Sequence, residues 1–388
     1  MLPLAFECPA LMKSLVAWAS THLATREPSF RHTALLHRGS ALSAIKVSMD
    51  ENELPPEMCL AVAMVFCSME SISDKDGLWY QHLLGGAAAL GFSRGREVTD
   101  LDGNDTSGAL SPVLGPPTRL TSVEGGWLLQ NLAYHDVLMS ITLDCRPLLS
   151  GSYWTDSQNK SKADPYFGLA SGILYLTSRT SELSADLAEA CQQAPTSTGL
   201  RPVAITMRSN HDILLQRSFQ QSVRPEPLIE AFRIESELLE WTCPQELAHS
   251  PLFLLAESYR SAALLYLYRT LRRYKQLPYR ELQTKVLSRV ASISELVTMM
   301  PDGCLAECTL LFPLFMAGGE ADDVFHIQII REKLLSINKW RHFQNVNHAL
   351  EVLDELWRLR GMGALGQCGR RVDWLDIVKT RDIKLAIS

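Results

Sequence analysis

Apolar positions recur along the chain at spacings of three and four residues, which is the period of an amphipathic α-helix. Near the N-terminus, Pro9 suits a first helical turn, and Leu11, Leu15 and Trp18 follow on one face. No stretch shows the sustained alternation that a half-buried strand requires. The chain is therefore predicted to be all-α, a large multi-helix domain rather than a sheet protein.

Two segments in the first hundred residues predict helices that are buried or closely packed. A double proline precedes a segment from Met58 to Met69 that is apolar almost all round, which predicts a buried helix. In the next stripe, Gly86 and the alanines after it form a smooth face on which another helix could pack closely. The longest apolar runs fall short of the ~18 residues of a spanning helix, so no membrane partner is expected.

The middle and end of the chain continue the helical pattern. A helix of about five turns is predicted from Trp127 to Cys145, where Arg146-Pro147 stops it. Another run extends from Tyr166 to about Cys191. Four further stripes predict four packed helices, which begin near Leu252, Leu282, Ile327 and Phe343.

Two polar stretches rich in Gly, Pro and Ser interrupt this pattern. They cover 94–122 and 192–227, and both are predicted to be irregular loops. We expect one domain over 1–388, with two helical lobes at 1–195 and 226–388. No repeated signature of a helical solenoid is present.

Composition places the chain among ordinary folded proteins, and its charge argues against general electrostatic binding to nucleic acid. Hydrophobic residues make up 46% of it, and 37 Lys plus Arg face 43 Asp plus Glu, a net charge of -6. Nine dispersed cysteines, an odd number, predict free thiols in a reducing compartment. The first residues carry no basic region before an apolar segment, so no secretion signal is expected.

Two glycine patterns imitate catalytic or nucleotide-binding motifs. Gly91 to Gly95 matches G-x-S-x-G with Ser93 as nucleophile, but a helix rather than a strand leads into it. Gly361 to Gly366 matches G-x-G-x-x-G, again after a helix. Both patterns are interpreted as helix ends, and neither predicts a cofactor.

Metal chemistry is not predicted from cysteine or histidine spacing. Cys304 and Cys308 lie four residues apart with no third ligand near them, and no histidine pair has the spacing of a zinc site. They are interpreted as a buried pair of free thiols. We expect neither a metal ion nor a cofactor.

A basic ridge lies among tyrosines late in the chain. Arg269, Arg272, Arg273 and Lys275 alternate with three tyrosines, an arrangement that nucleic-acid binders also use. Four charges without a recognition motif are weak evidence for nucleic-acid binding. The arginines are therefore predicted to form a solvated face and the tyrosines to pack inward.

Four residues are candidates for contacting a ligand. Trp79 and His82 share one predicted helix face, while Tyr134 and His135 lie in the long middle helix. Together they could line an apolar cavity with a few polar groups; the alternative is two satisfied buried histidines. Adjacent helix positions point about 100° apart, so Asp136 is badly placed to orient His135.

Several short segments occur in an order that is similar to one family. They are Cys8 to Leu23, Ala41-Leu42, Met69-Glu70 before Asp74, Trp79 to Ala87, Tyr134 to Val137, Phe312 to Gly318, Asn347 to Trp357, and Val372 to Trp374. Read together, they resemble the fungal-specific transcription factor domain, the regulatory domain of the zinc-binuclear-cluster regulators of filamentous fungi. The segment at 312–318 resembles that family's late W/F-P-L-F-x-A-G turn. The resemblance spans almost the whole chain.

The chain departs from this family in one respect. Such regulators read DNA through a six-cysteine cluster with two C-x-x-C pairs and two zinc ions. These 388 residues contain no C-x-x-C. The resemblance thus implies a regulatory module without direct DNA binding by a zinc cluster. Three explanations stay open: a truncated or separately encoded regulatory domain, a co-regulator that lacks the cluster, or a helical scaffold recruited for catalysis.

Three hypotheses for function follow. The first is a transcriptional regulator or co-regulator module for secondary-metabolite genes, in the nucleus or the cytoplasm. It would act as a homodimer, or as a heterodimer with a regulator, and bind a small-molecule effector. The second is an isomerase or cyclase acting on a polyketide or terpenoid. The third is a plain scaffold that binds no ligand.

Overall fold

The described part of the protein is all-α, as predicted. The computed structural model describes residues 1–51, 54–73, 77–91, 120, 122–149, 163–164, 167–193, 225–243, 249–363 and 371–388. These residues contain fourteen α-helices and no strand. The helices are α1 (Leu2–Glu7), α2 (Pro9–Arg26), α3 (Arg31–Asp50), α4 (Pro56–Ser73), α5 (Trp79–Ala89), α6 (Val123–Leu143), α7 (Ser171–Gln193), α8 (Pro225–Glu240), α9 (Pro251–Arg273), α10 (Tyr279–Met299), α11 (Leu311–Glu320), α12 (Val324–Arg341), α13 (Gln344–Gly361) and α14 (Trp374–Thr380).

Most of both predicted loops lies outside the described residues. The same is true of Ser93 and of the last three residues of the second glycine pattern. The division into two lobes remains a prediction. Buried apolar side chains from Ala5 to Ile387 form one continuous cluster, and α4 packs against α13 within it.

The N-terminal helices form layers around α4. Helix α2 lies between α3 on one side and α4 on the other, and α4 also packs on α5 and α6. As predicted, α4 is buried on nearly all faces. It is long and apolar enough to cross a membrane by length and composition, but 61% of it is buried inside the protein, the pattern of a core helix.

The close approach of α4 and α5 depends on Gly86. A Cβ at this position would lie 3.2 Å from Cδ1 of Leu60 and 3.3 Å from Cβ of Ala63. These contacts are tighter than ordinary packing allows. The predicted smooth face on α5 is confirmed, and α4 is the helix that packs on it.

The middle helix has the predicted length and end. Helix α6 begins at an N-cap, where Ser122 Oγ accepts the Gly125 N–H at 2.8 Å. It ends at Asp144, whose φ of 54° is left-handed. The Asp136 carboxylate accepts the N–H groups of Leu148 and Leu149 at 2.9 and 2.8 Å, so it fastens the chain after the helix to the helix itself.

The C-terminal half is organised around α9. The four predicted helices are observed as α9, α10, α12 and α13, and α9 packs on α7, α8, α10 and α11. Between them, the segment at 312–318 is part of helix α11 rather than the expected turn. All ten residues of α11 are buried, so it is a core helix in which apolar side chains face every direction.

Candidate functional site

Trp79 and His82, on consecutive turns of α5, have different environments. Trp79 is buried, and its Nε1–H donates to the carbonyl oxygen of Lys384 at 3.0 Å. The His82 side chain keeps 28% of its surface exposed, and its ring lies against Phe66 at 5.0 Å between centroids. Of the two, His82 is therefore the residue that a molecule from solvent could reach.

A buried carboxylate lies behind His82. Glu70 Oε1 is 3.9 Å from His82 Nε2 and 2.7 Å from the guanidinium of Arg38 on α3. Burial, and next the positive charge of Arg38, lower the pKa of His82, so the ring is neutral at pH 7. The Arg38–Glu70 pair also ties α3 to α4 across α2.

Tyr134 and His135 lie deep in the interior. The Tyr259 hydroxyl donates to the Thr309 carbonyl oxygen at 2.9 Å and lies 3.2 Å from the Tyr134 hydroxyl, so its oxygen accepts from Tyr134. His135 Nδ1 is 2.8 Å from Oγ of Ser388. Burial lowers the pKa of His135 to about 4, which keeps this imidazole neutral above that pH.

The structure brings the four candidates together in two pairs and not as one direct cluster. The last described residues of the chain connect the pairs, because Lys384 contacts Trp79 and Ser388 contacts His135. Asn345 Nδ2 also donates to the Ser388 carbonyl oxygen at 3.0 Å. Whether a ligand binds any of the four stays a prediction, and sequence reasoning missed the role of this terminal segment.

The predicted basic ridge is wrong for Arg269. This side chain is 3% exposed; it donates to the Asp373 carboxylate, stacks 4.3 Å from the Trp374 ring, and has Glu320 nearby. Glu320 in turn accepts two hydrogen bonds from Arg272, at 2.6 and 2.7 Å. Arg269 is buried and Arg272 partly buried because their acidic partners come from α11 and from the cap of α14. We call Arg269, Arg272, Glu320, Asp373 and Trp374 the arginine lock.

A second charged contact closes the end of α6. Asp144 accepts from Arg273 at 2.6 and 2.7 Å and from Lys379 at 2.7 Å. Burial alone would raise the pKa of Asp144, but these two cations lower it to about 2. The inward packing predicted for the tyrosines is confirmed for Tyr266 and Tyr268.

A family model described as fungal specific transcription factor domain matches residues 1–388. The chain belongs to this family. Membership places it among transcription regulators. Neither the curated proteins nor the solved structures contain a significant match to the chain.

In this fungal transcription factor domain, the three late segments that carry the resemblance, at 312–318, 347–357 and 372–374, pack against one another at the C-terminal end. Gly318 and Gly319 of α11 leave no room for a side chain, since a Cβ would lie 2.8 Å from Leu353 and 2.7 Å from Trp374. Asp373 caps α14 and accepts from Arg269 at the same time. These segments hold the C-terminal end against the core. The sequence feature that could have predicted the arginine lock is Glu320, an acidic residue directly after a fully apolar run.

The domain also has an open groove between α7 and α8, away from the four predicted residues. Its volume is about 490 Å³. Burial raises the pKa of Glu182 in this groove. Two arginines partly compensate its carboxylates, since Arg146 pairs with Asp186 and Glu189 while Arg179 pairs with Glu230 and Glu237.

The described residues offer no place for a metal ion. Among them, no three His, Cys, Asp or Glu side chains come together as ligands. The eight described cysteines are free, as expected; Cys368 lies outside the described residues. Cys304 and Cys308 are half-buried and not fully buried as predicted, and burial raises the pKa of the Cys308 thiol.

Proposed function

We propose that this domain is the regulatory module of a fungal transcription regulator and that its DNA-binding element lies outside these 388 residues. The observation that carries the proposal is the family match over all 388 residues of a chain without a C-x-x-C pair. The net charge of -6 agrees with it, because such a chain lacks the general attraction to phosphate that DNA binding uses. A zinc cluster on the same polypeptide or on a partner would supply the DNA contact.

The experiment is a transfer of the domain to another DNA-binding protein. The 388-residue chain is fused to an unrelated DNA-binding domain, and transcription of a reporter with the matching site is measured. We expect transcription to differ from that given by the DNA-binding domain alone. Arg269→Glu serves as the control, because reversing a charge inside the arginine lock should abolish the effect by unfolding the domain. A stable, folded fusion with an unchanged reporter would contradict the proposal.

We further propose nuclear action on secondary-metabolite genes. The support is the resemblance to regulators of filamentous fungi that the sequence segments provide. A fluorescent fusion tests the compartment, and comparison of transcripts between a strain with and without the gene tests the target class. Exclusion from the nucleus, or unchanged secondary-metabolite transcripts, would each count against this part.

A small-molecule effector is proposed to contact the domain at His82. This side chain is half-exposed, whereas the other three candidates are buried among protein partners. A ligand there would touch α5 directly and, through Glu70 and Arg38, helix α3. We expect His82→Ala to leave the folded domain intact. The variant should remove the response of the reporter fusion to extracts of the fungus that encodes this protein.

The alternative is an isomerase or cyclase acting on a polyketide or terpenoid. One observation favours it: a neutral, solvent-reachable imidazole at His82 backed by the buried Glu70 carboxylate, a pair that acid–base catalysis can use. A single strain that carries His82→Ala distinguishes the two functions. If His82→Ala removes a metabolite while all transcripts stay unchanged, the domain is an enzyme; changed transcripts of many genes support the regulator.

A further inference from the structure

Helix α3 exposes large apolar side chains that the fold does not need. Leu35, Leu42 and Met49 share one face and are 66%, 45% and 61% exposed, while Leu36 and Val47, exposed by half or more, lie roughly a third of a turn further round. Single exposed apolar residues are ordinary, but three that line one face of a twenty-residue helix form a stripe typical of an interaction site.

The position of the exposed stripe on α3 is fixed by contacts on the neighbouring face of the helix. Ala34 and Ala41 are buried where α3 packs on α2, and Arg38 reaches Glu70 on α4 with an N–O distance of 2.7 Å. The helix therefore cannot turn to bury its leucines without breaking this packing. The outward position of Leu35, Leu42 and Met49 is a property of the folded domain.

The spacing of these residues suits a second helix. Leu35, Leu42 and Met49 are separated by seven residues, the repeat that keeps one seam facing a partner helix. Leu42 lies at the centre, with Leu35 and Met49 at equal distances along the helix on either side. A second α3 running antiparallel would place Leu42 against Leu42 and Leu35 against Met49, which is the self-complementary contact that a two-fold axis requires.

The charges on α3 favour this antiparallel arrangement. Arg31 begins the helix, while Asp50 and Glu51 end it, and all three are exposed. In an antiparallel pair, Arg31 of each chain lies near Asp50 and Glu51 of the other. In a parallel pair, like charges would face each other at both ends. Lys46 would lie near Arg38 of the second copy, whose charge Glu70 already compensates.

We propose that α3 is a homodimer interface, in which two copies of the domain pack α3 against α3 in antiparallel orientation about Leu42. The partner is then a second copy of the domain and the surface is α3, whether or not the domain regulates transcription. The dimer would cover Leu35, Leu42 and Met49 of each copy, and Leu36 and Val47 would stay outside the seam. It would leave His82 and the groove between α7 and α8 outside the seam.

The first test measures the mass of the full 388-residue chain by light scattering and sedimentation over a wide concentration range. We expect twice the chain mass of 43.3 kDa. Leu42→Glu should weaken the dimer by at least roughly tenfold, because it places two carboxylates against each other at the axis. The matched control is Leu335→Glu on α12, a helical leucine that is 47% exposed, and it should leave the mass unchanged.

The second test uses charge reversal and does not depend on apolar packing. Arg31→Glu alone, and Asp50→Arg with Glu51→Arg alone, should each weaken the dimer, because like charges then meet at both ends. Mixing the two variants should restore a dimer of one chain of each kind. In a parallel pair, mixing would give opposite charges at both ends too, but each variant alone would then be no weaker than the wild-type chain.

Several results would overturn the proposal. A wild-type chain that stays monomeric at every concentration is one, and a dimer that survives Leu42→Glu is another, because its interface must then lie elsewhere. A monomer whose reporter activity nonetheless falls on Leu42→Glu would assign the surface to a different protein, and so would reject a second copy as its occupant.

Discussion

The arginine lock allows a sharp test of what holds the C-terminal end to the core. Glu320 is 1% exposed, and both of its carboxylate oxygens accept from Arg272, while Nε of Arg269 lies 3.7 Å away. Glu320→Gln keeps the size of the side chain but removes the charge. The buried guanidinium of Arg269 and the partly buried guanidinium of Arg272 then have Asp373 as the remaining carboxylate of the lock.

The expected loss is large because breaking a buried ion pair leaves an uncompensated charge inside the protein. Removing one partner of such a pair costs about 3–5 kcal/mol. Domains are stable by only about 5–15 kcal/mol in total, so Glu320→Gln should lose about a fifth or more of the free energy of unfolding. The equal volume of Gln means that no cavity contributes to this loss.

Urea unfolding followed by far-ultraviolet circular dichroism measures the change. The matched control is Glu351→Gln, an exposed glutamate on α13, which should shift the free energy of unfolding by no more than about 0.5 kcal/mol. If Glu320→Gln also stays within about 0.5 kcal/mol of the wild-type protein, the lock does not stabilise the fold and the reasoning from its burial is wrong.

Three further predictions concern the same interior. Gly319→Ala should destabilise the domain in thermal unfolding, because overpacking against Trp374 at 2.7 Å costs roughly 1–3 kcal/mol and exceeds the gain of about 1 kcal/mol in helix propensity. The wild-type protein should lose about 3 kcal/mol as the pH falls from 6.5 to 4, because the unfolded chain binds a proton that buried His135 refuses; His135→Leu should flatten that part of the stability–pH curve. Trp79→Phe should cost about 1 kcal/mol by removing the hydrogen bond to Lys384, and an unchanged melting temperature would contradict it.

The sequence predicted the helices well because their signal is local. The apolar spacing from Trp127 to Cys145 predicted α6, and the predicted stop at Arg146-Pro147 lies just beyond the observed C-cap Asp144. Helix α11 was missed as a helix because periodicity vanishes when every face is buried. A short apolar run of this kind looks the same whether it is a turn, a strand or a core helix.

The environment of the candidate site could not be predicted, because it depends on partners far along the chain. Arg269 was assigned to a solvated face, but its partner Asp373 lies 104 residues further on. His135 was expected to be a candidate ligand contact or a satisfied buried histidine, and its partner Ser388 lies 253 residues away. Spacing along one helix gives the direction of a side chain but not the identity of what meets it.

Two neighbouring residues of α3 differ in whether packing within a single chain accounts for their identity. Ala41 is fully buried against α2, so a small side chain there is a requirement of packing. Leu42 is 45% exposed, and a polar residue of similar helix propensity, such as Gln or Lys, would preserve the helix equally well. An exposed leucine costs solubility and adds nothing to the core of a single chain, and it recurs as an apolar residue at 35 and 49. Contact with another molecule, as in the proposed antiparallel pair, would account for these three side chains, and the charges of Arg31 and Asp50 fit a second copy of the same helix.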